Sequence, residues 1–303
     1  MEGQKQLTRI SLRERFNEGL GLTLRRLFRH RVASAGGVVV GLSILCAILA
    51  SQIAPYDPLG QELAFRLKPP GWTDPQGGSH ILGTDHLGRD VLSRIIYGSR
   101  VSLAVGTASA LVGGAIGLLL GLVAGYFGRW VDDLIMRIAD VQLSFPFLVL
   151  ALCVIAILGS SLMNLIIVLS LYGWVIYARV IRASVLSIRE IEYVQAARAI
   201  GQNHFKILVK HILPNVIAPF FVISSFQVAR IIIIEASLGF LGLGVPPPEP
   251  TWGNMLADGR EYLQDAWWIG TFPGLAIVAV VLGINLLGDG LRDALDPKTY
   301  IKH

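Results

Sequence analysis

The sequence is poor in charge. Asp, Glu, Lys and Arg make up 16% of its 303 residues, where a soluble domain carries about a quarter. It has only two cysteines, Cys46 and Cys153, each inside an apolar run and neither in a CxxC spacing. That pattern excludes a disulfide framework or a cysteine metal site, and both read as small buried hydrophobes. The six histidines show no HExxH or similar ligand spacing. His80 and His86 share one polar loop, which is too little to make a metal site. The stretch GTDHLGRD, Gly83 to Asp90, spaces its glycines like a phosphate-binding loop, but Arg89 and Asp90 stand where Lys and Ser or Thr are required. There is no other nucleotide-binding loop, no Ser/His/Asp arrangement and no paired carboxylates that fit one site. The chain is therefore not expected to be an enzyme or to hold a cofactor, and any energy source lies elsewhere. No repeat and no separate soluble domain is visible.

What is abundant is apolar length. Hydrophobic residues make up 53% of the chain, and its mean hydropathy is +0.60. Apolar stretches near the ~20 residues needed to cross a bilayer fall at 32–54, 101–125, 138–158, 162–181, 212–236 and 268–287. They predict an all-α polytopic membrane protein with six transmembrane helices.

The formal net charge is +5. The basic residues flank apolar runs rather than coat a soluble face, so they report membrane orientation and not nucleic-acid binding. The arm 1–31 (Arg9, Arg13, Arg15, Arg25, Arg26, Arg29, Arg31) and the loop 182–211 (Arg182, Arg189, Arg198, Lys206, Lys210) fall on one side. The positive-inside rule makes that side cytoplasmic, together with both termini. The arm shows no cleavage site after the first apolar run, and 12–28 reads as an amphipathic helix on the inner leaflet. Segments 55–100 and 237–267 lie opposite. The latter carries Glu249, Asp258, Glu261 and Asp265, and Trp267 and Trp268 then sit at the outer interface.

Gly113, Gly117, Gly121 and Gly125 recur every four residues, with Ser109 one step earlier. On a helix they form a smooth stripe suited to close packing, within this chain or against another subunit. Charges inside the spans are few. Arg230 and Glu235 fall in the outer half of the fifth span. Glu235 is a candidate for a wet pathway or a subunit seam, and Arg230 for snorkelling outward. Arg137 and Asp140 read as a structural pair.

One polar element interrupts this pattern. Glu192–Asn215, EYVQAARAIGQNHFKILVKHILPN, reads as a short helix, a turn at Gly201, a second short helix over 203–210, and Pro214 where the next span begins. Ala196 and Ala197 present almost no side chain, so a partner could seat this helix deeply, with Arg198, Lys206 and Lys210 meeting acidic groups. Gly201 permits a positive φ.

The series Gln195-Ala196-Ala197, then Gly201, then His211-Ile212-Leu213-Pro214 resembles the EAA loop of ABC importer permeases. Gln195 replaces the usual Glu and His211 the usual Ile. Further blocks resemble the dipeptide/oligopeptide/nickel branch, in its C-type permease: HILGTDHLGRDVLSRIIYGSRVSL (80–103), MRIADVQLSFPFLVLA (136–151), EASLGFLGLGVPPPEPTWGNML (235–256) and NLLGDGLRDALDPK (285–298).

The resemblance implies a type I importer (MetI-like) fold with cytoplasmic termini in a bacterial inner membrane. It divides the chain into arm 1–31, first span 32–54, periplasmic segment 55–100, a five-helix core 101–290 and tail 291–303. The core includes a coupling loop 190–211 and a periplasmic segment 237–267. Implied partners are a B-type permease, two ABC ATPase subunits holding ATP-Mg, a periplasmic substrate-binding protein and the lipid bilayer. Implied coupling residues are Glu192, Gln195, Ala196, Ala197, Arg198, Gly201, His211, Leu213 and Pro214. Trp252 and Gly253 are candidates for docking the binding protein. A secondary transporter or channel without ATPases is the alternative, and it would need coupling carboxylates buried mid-span. Solute choice is expected to reside in the binding protein.

Overall fold

The computed structural model describes residues 31–295. The basic arm, its expected helix over 12–28 and the tail beyond Leu295 lie outside the described residues. Helices α1 (Arg31–Ile48) and α2 (Ala50–Ile53) lead to the outer segment, which holds a 3₁₀ turn at Leu63–Phe65 and a small hairpin of β1 (Trp72–Thr73) and β2 (Ser79–His80). Then follow α3 (Val91–Phe127), α4 (Arg129–Ser144), α5 (Phe147–Leu158), α6 (Leu162–Ile188), α7 (Glu192–Ala199) and α8 (His204–Ile207). A π turn at Leu208–Ile212 leads into α9 (Leu213–Phe240), and α10 (Trp252–Arg260) and α11 (Trp268–Leu295) complete the order. Among the described residues, five helices are long and apolar enough to cross a bilayer: α1, α3, α6, the continuous helix His204–Phe240, and α11.

The sixth candidate differs from the sequence reading. The apolar run 138–158 is not one straight helix. It divides into α4 and α5, which meet at 88°. Hydropathy cannot register the cause. Pro146 lacks an N–H and restricts Phe145 to an extended conformation (φ −93°, ψ 132°), so α4 ends there. The expected Arg137–Asp140 pair does not form either. Asp140 instead binds Arg179 of α6 at 2.6 Å, and Asp132 receives both Nε and Nη2 of Arg182 at 2.5 Å. Two ion pairs thus hang α4 on α6.

The glycine stripe packs within the chain. An added Cβ at Gly113 would lie 2.8 Å from the Ser170 carbonyl oxygen, at Gly121 2.7 Å from that of Ala178, and at Gly125 2.7 Å from the Val185 side chain. Gly117 faces Trp174 and Tyr177 in the same way. The backbones of α3 and α6 therefore run in contact for several turns, where dispersion between backbones replaces the hydrophobic effect that lipid cannot supply. A second small-residue contact joins α1 to α11, with Gly36 against the Gly283 carbonyl.

α3 extends ten residues further outward than its apolar run. Asp90 caps it, accepting from the Ser93 N–H and hydroxyl at 2.7 Å each. The outer segment folds onto this extension. His80 stacks between Tyr56 and Trp72 and meets Asp90 at 2.9 Å through Nδ1. Asp85 is fully buried and accepts from Arg89 Nε at 2.7 Å and Arg94 Nη1 at 2.5 Å. Both arginines also reach Asp258 of α10, at 3.3 and 3.2 Å. Burial alone would raise the Asp85 carboxyl, but Arg94, Arg89 and the backbone N–H groups of Arg89 and Leu87 outweigh it and hold it below the usual carboxylate range.

Two outcomes are expected. Gly121→Leu destabilises the detergent-solubilised chain by about 2 kcal/mol, whereas Gly41→Ala, which meets nothing within 4 Å, does not lower the thermal midpoint. The second concerns Asp85. Its lowered folded pKa means the folded state binds the proton less readily than the unfolded one. Its contribution is therefore complete above about pH 4 and fades as pH falls through the lower folded value. Hydrogen exchange over 63–90, corrected for intrinsic rates, is expected to quicken as pH falls below about 4, and Asp85→Asn loosens that segment at neutral pH by on the order of 3 kcal/mol.

Candidate functional site

The interrupting polar element forms a sharp elbow at the end of the bundle that the charge pattern places inside. α7 closes in a Schellman turn: Gln202 N–H donates to the Ala197 carbonyl at 3.1 Å and Gly201 N–H to that of Arg198 at 3.0 Å, with Gly201 at φ +75°. Only glycine adopts that conformation without strain. Asn203 then starts α8, its side chain accepting from Phe205 N–H at 2.8 Å. The second short helix expected over 203–210 is not a separate piece. It runs through the π turn into α9 as one helix, His204–Phe240. Pro214 follows the π turn with only Leu213 between them. Proline has no N–H to donate and its ring crowds the carbonyl four residues back, and a wider turn relieves that conflict. Glu192 sits in the first turn of α7, where the helix dipole favours its charge. Gln195 Nε2 donates to the Glu190 carbonyl and carboxylate at 3.2 Å each.

The elbow is gripped from within. Val194, Ala197, Ile207 and Ile212 form one cluster with Leu122 and Tyr126 of α3 and Ile181 and Val185 of α6, with Leu213 packed against it. Arg198 lies 4.6 Å over the Tyr126 ring, and the Tyr126 hydroxyl meets His204 Nδ1 at 2.8 Å. His211 Nε2 meets Gln202 Oε1 at 3.1 Å, and its carbonyl accepts from Asn215 Nδ2 at 2.6 Å. His211 thus supplies a polar strut where an apolar residue would only pack.

Two expectations need correction. Ala196 and Ala197 do not both face outward, because neighbours on a helix point about 100° apart. Ala196 is exposed and Ala197 is 6% exposed, inside the cluster. Arg198 turns inward to Tyr126 rather than out to a partner. The outward surface is instead apolar at its tip: Ile200 is 83% exposed, Phe205 74% and Tyr193 45%, flanked by exposed Lys206 and Lys210. Sequence reasoning passed over Ile200 and Phe205. The available signal was two large apolar side chains on either side of Gly201 in an otherwise polar loop.

The other candidates also move. Trp252, 2% exposed, is wedged between helices, its Nε1 donating to the Ile95 carbonyl at 3.0 Å, and Gly253 abuts the Ala236 backbone. Neither offers a surface for docking. Glu235 is fully buried inside this chain, its carboxylate beside the Ser102 side chain. It therefore lines no open path here. Arg230 does not extend freely outward but donates to the Tyr172 hydroxyl at 2.6 Å. Asp85, His86 and Asp258 bring ligand atoms within 4.8 Å of one another. However, Arg89 and Arg94 already occupy both carboxylates.

A bundle of membrane helices ending in a gripped, apolar-tipped elbow fits the family comparisons. Residues 117–300 match the profile described as binding-protein-dependent transport system inner membrane component. The chain belongs to this family. Residues 20–70 of the permease also match the N-terminal transmembrane domain of oligopeptide transport permease C. Relatives include the Di/tripeptide transport system permease protein DppC of Pseudomonas aeruginosa, 44% identical over 89% of this chain and 90% of that one. The Dipeptide transport system permease protein DppC of Escherichia coli is 46% identical over 89% and 90%. The Glutathione transport system permease protein GsiD of Pectobacterium atrosepticum is 44% identical over 90% and 89%. A solved structure of the MetNI methionine ABC transporter in an inward-facing conformation shares the fold, with TM-score 0.54 at 21% identity over 67% of this chain and 97% of that one.

Ala197→Asp is expected to speed hydrogen exchange over 192–207, because it buries a carboxylate against Leu122 and Tyr126, whereas Ala196→Asp leaves exchange there unchanged.

Proposed function

We propose that this permease is one half of the membrane channel of an ATP-driven importer for short peptides, and that its elbow is the element an ATPase subunit grips. The observation that carries this reading is the pairing of two properties in one place. The elbow is rigidly anchored to α3 and α6, yet presents Ile200 and Phe205 to solvent. An exposed apolar knob on a stiff mount suits insertion into a partner's groove, and exposed Lys206 and Lys210 can pair with acidic groups at its rim. Glu192, Gln195, Ala196 and Gly201 shape the knob. Ala197, Arg198, His211, Leu213 and Pro214 fix its mount.

ATP-Mg would be held by two partner ATPases, as membership of the binding-protein-dependent transport family suggests. A second, B-type permease would complete the channel, and an extracytoplasmic binding protein would deliver the solute to it. The setting is the bacterial inner membrane. The peptide class rests on relatives whose names specify dipeptides, di/tripeptides and glutathione, itself a tripeptide.

The test is copurification. Tagged wild-type chain is expected to bring down ATPase subunits in stoichiometric amount. Ile200→Asp and Phe205→Asp are each expected to lose most of them while inserting normally, since surface changes of this kind move stability by about 0.5 kcal/mol or less. Full ATPase recovery with the double variant would remove the elbow from the interface.

A further inference from the structure

The helices leave one unusual polar face. Arg230 on α9 lies ten residues before Phe240, and Tyr172 on α6 lies ten residues after Leu162. Each is roughly 15 Å in from its helix end at 1.5 Å per residue, which keeps both inside the apolar spans, Arg230 in the outer half of its own. Arg230 is exposed in this chain. Its guanidinium stands 5.4 Å over the Tyr172 ring and donates to the phenol at 2.6 Å. Among the described residues no carboxylate forms an ion pair with Arg230. Phe147, at the start of α5, packs on Tyr172 at 4.3 Å and backs the site.

The same face continues inward. Arg179 follows Tyr172 by seven residues, two turns along one side of α6, and pairs with Asp140 with both side chains about half exposed. Gln142, between them, accepts from Trp174 Nε1 at 2.7 Å and donates to the Leu171 carbonyl. Two guanidiniums and one carboxylate leave this stripe one positive charge in excess. A bare charge at that depth is not stable against lipid, so the face meets water or protein. The uncommitted N–H donors of Arg230 form a fork suited to a carboxylate.

Building on the permease reading, we propose that Arg230, steered by Tyr172, is an intramembrane binding site for the carboxylate of the transported solute, on a water-filled path lined by α5, α6 and α9. A peptide carries such a group at its C-terminus whatever its side chains. One site could therefore serve many sequences while the phenol and Phe147 offer an unselective apolar wall.

The test uses the complete transporter with its natural partners in lipid vesicles, with Cys46 and Cys153 replaced by Ser and Phe147→Cys as reporter. Rates are compared for the anionic 2-sulfonatoethyl and the cationic trimethylammonioethyl methanethiosulfonates, each normalised to a free thiol. With Arg230 present the anionic reagent is expected to be favoured roughly tenfold. The preference persists in Arg230→Lys, which also controls for misfolding, and disappears in Arg230→Gln. Trialanine is expected to slow the anionic reaction more than trialanine amide does. A thiol unreactive both without nucleotide and in the ATP-vanadate state would mean that the partner permease or lipid seals this face. That result overturns the proposal. Equal protection by the amide, or a preference unchanged in Arg230→Gln, overturns it as well. The readout needs no net uptake, so failed ATPase copurification alongside a retained charge preference would sink the importer reading and leave the anion site standing.

Discussion

The backbone contact between α3 and α6 sets the terms for everything else. Four glycines let two long helices approach until main-chain atoms touch, and a pair fixed this closely cannot slide or splay without losing contacts over its whole length. The two ends of that pair become mounting points. At one end Leu122 and Tyr126 of α3, with Ile181 and Val185 of α6, form the floor on which the elbow rests. At the other, the polar extension of α3 carries Asp90 and Arg94, to which the outer segment is fastened, and Gly98, against which Trp252 closes.

The two mounts use different chemistry. The inner one is apolar, with a cation on an aromatic ring and a tyrosine–histidine hydrogen bond. The outer one is ionic, with Asp85 shared between two arginines that also reach α10. The difference follows from what each segment offers. Residues 55–90 have too little apolar surface for a core of their own, so buried charges with matched partners give the segment a single conformation. The elbow supplies aliphatic residues on one side and can pack conventionally, which frees its other side for a partner.

Much of this was legible beforehand, and the omissions have physical causes. Apolar runs located the spans because hydrocarbon demands length and little else. The four-residue glycine period revealed a packing stripe, and Gly201 a turn, because those positions tolerate no side chain or require a positive φ. The bend at Pro146 escaped because hydropathy averages over a helix break. The outward reach of α3 escaped because Ser93 and Arg94 are polar, yet are buried by long-range partners that local pattern cannot name. Trp252 was taken for surface since its neighbours are turn residues, although its indole is held by Ile95, 157 positions away. The roles of Ala196 and Ala197 separated only when the direction of α7 against Tyr126 was fixed. Arg230 was visible as a charge in a span, but its phenol partner lay 58 residues distant.

The union of α8, the π turn and α9 has a mechanical consequence. This single helix of 37 residues measures roughly 55 Å at 1.5 Å per residue, well beyond the ~30 Å of hydrocarbon it crosses. Its near end carries Phe205 and its far end abuts Gly253 and the short helix that Arg89 and Arg94 hold through Asp258. A tilt imposed at one tip can therefore be passed to the other, with the π turn and the internal Pro219 as the places where it can be absorbed. The elbow and the outer assembly around α10 are thus joined by one continuous rod as well as by the α3–α6 pair.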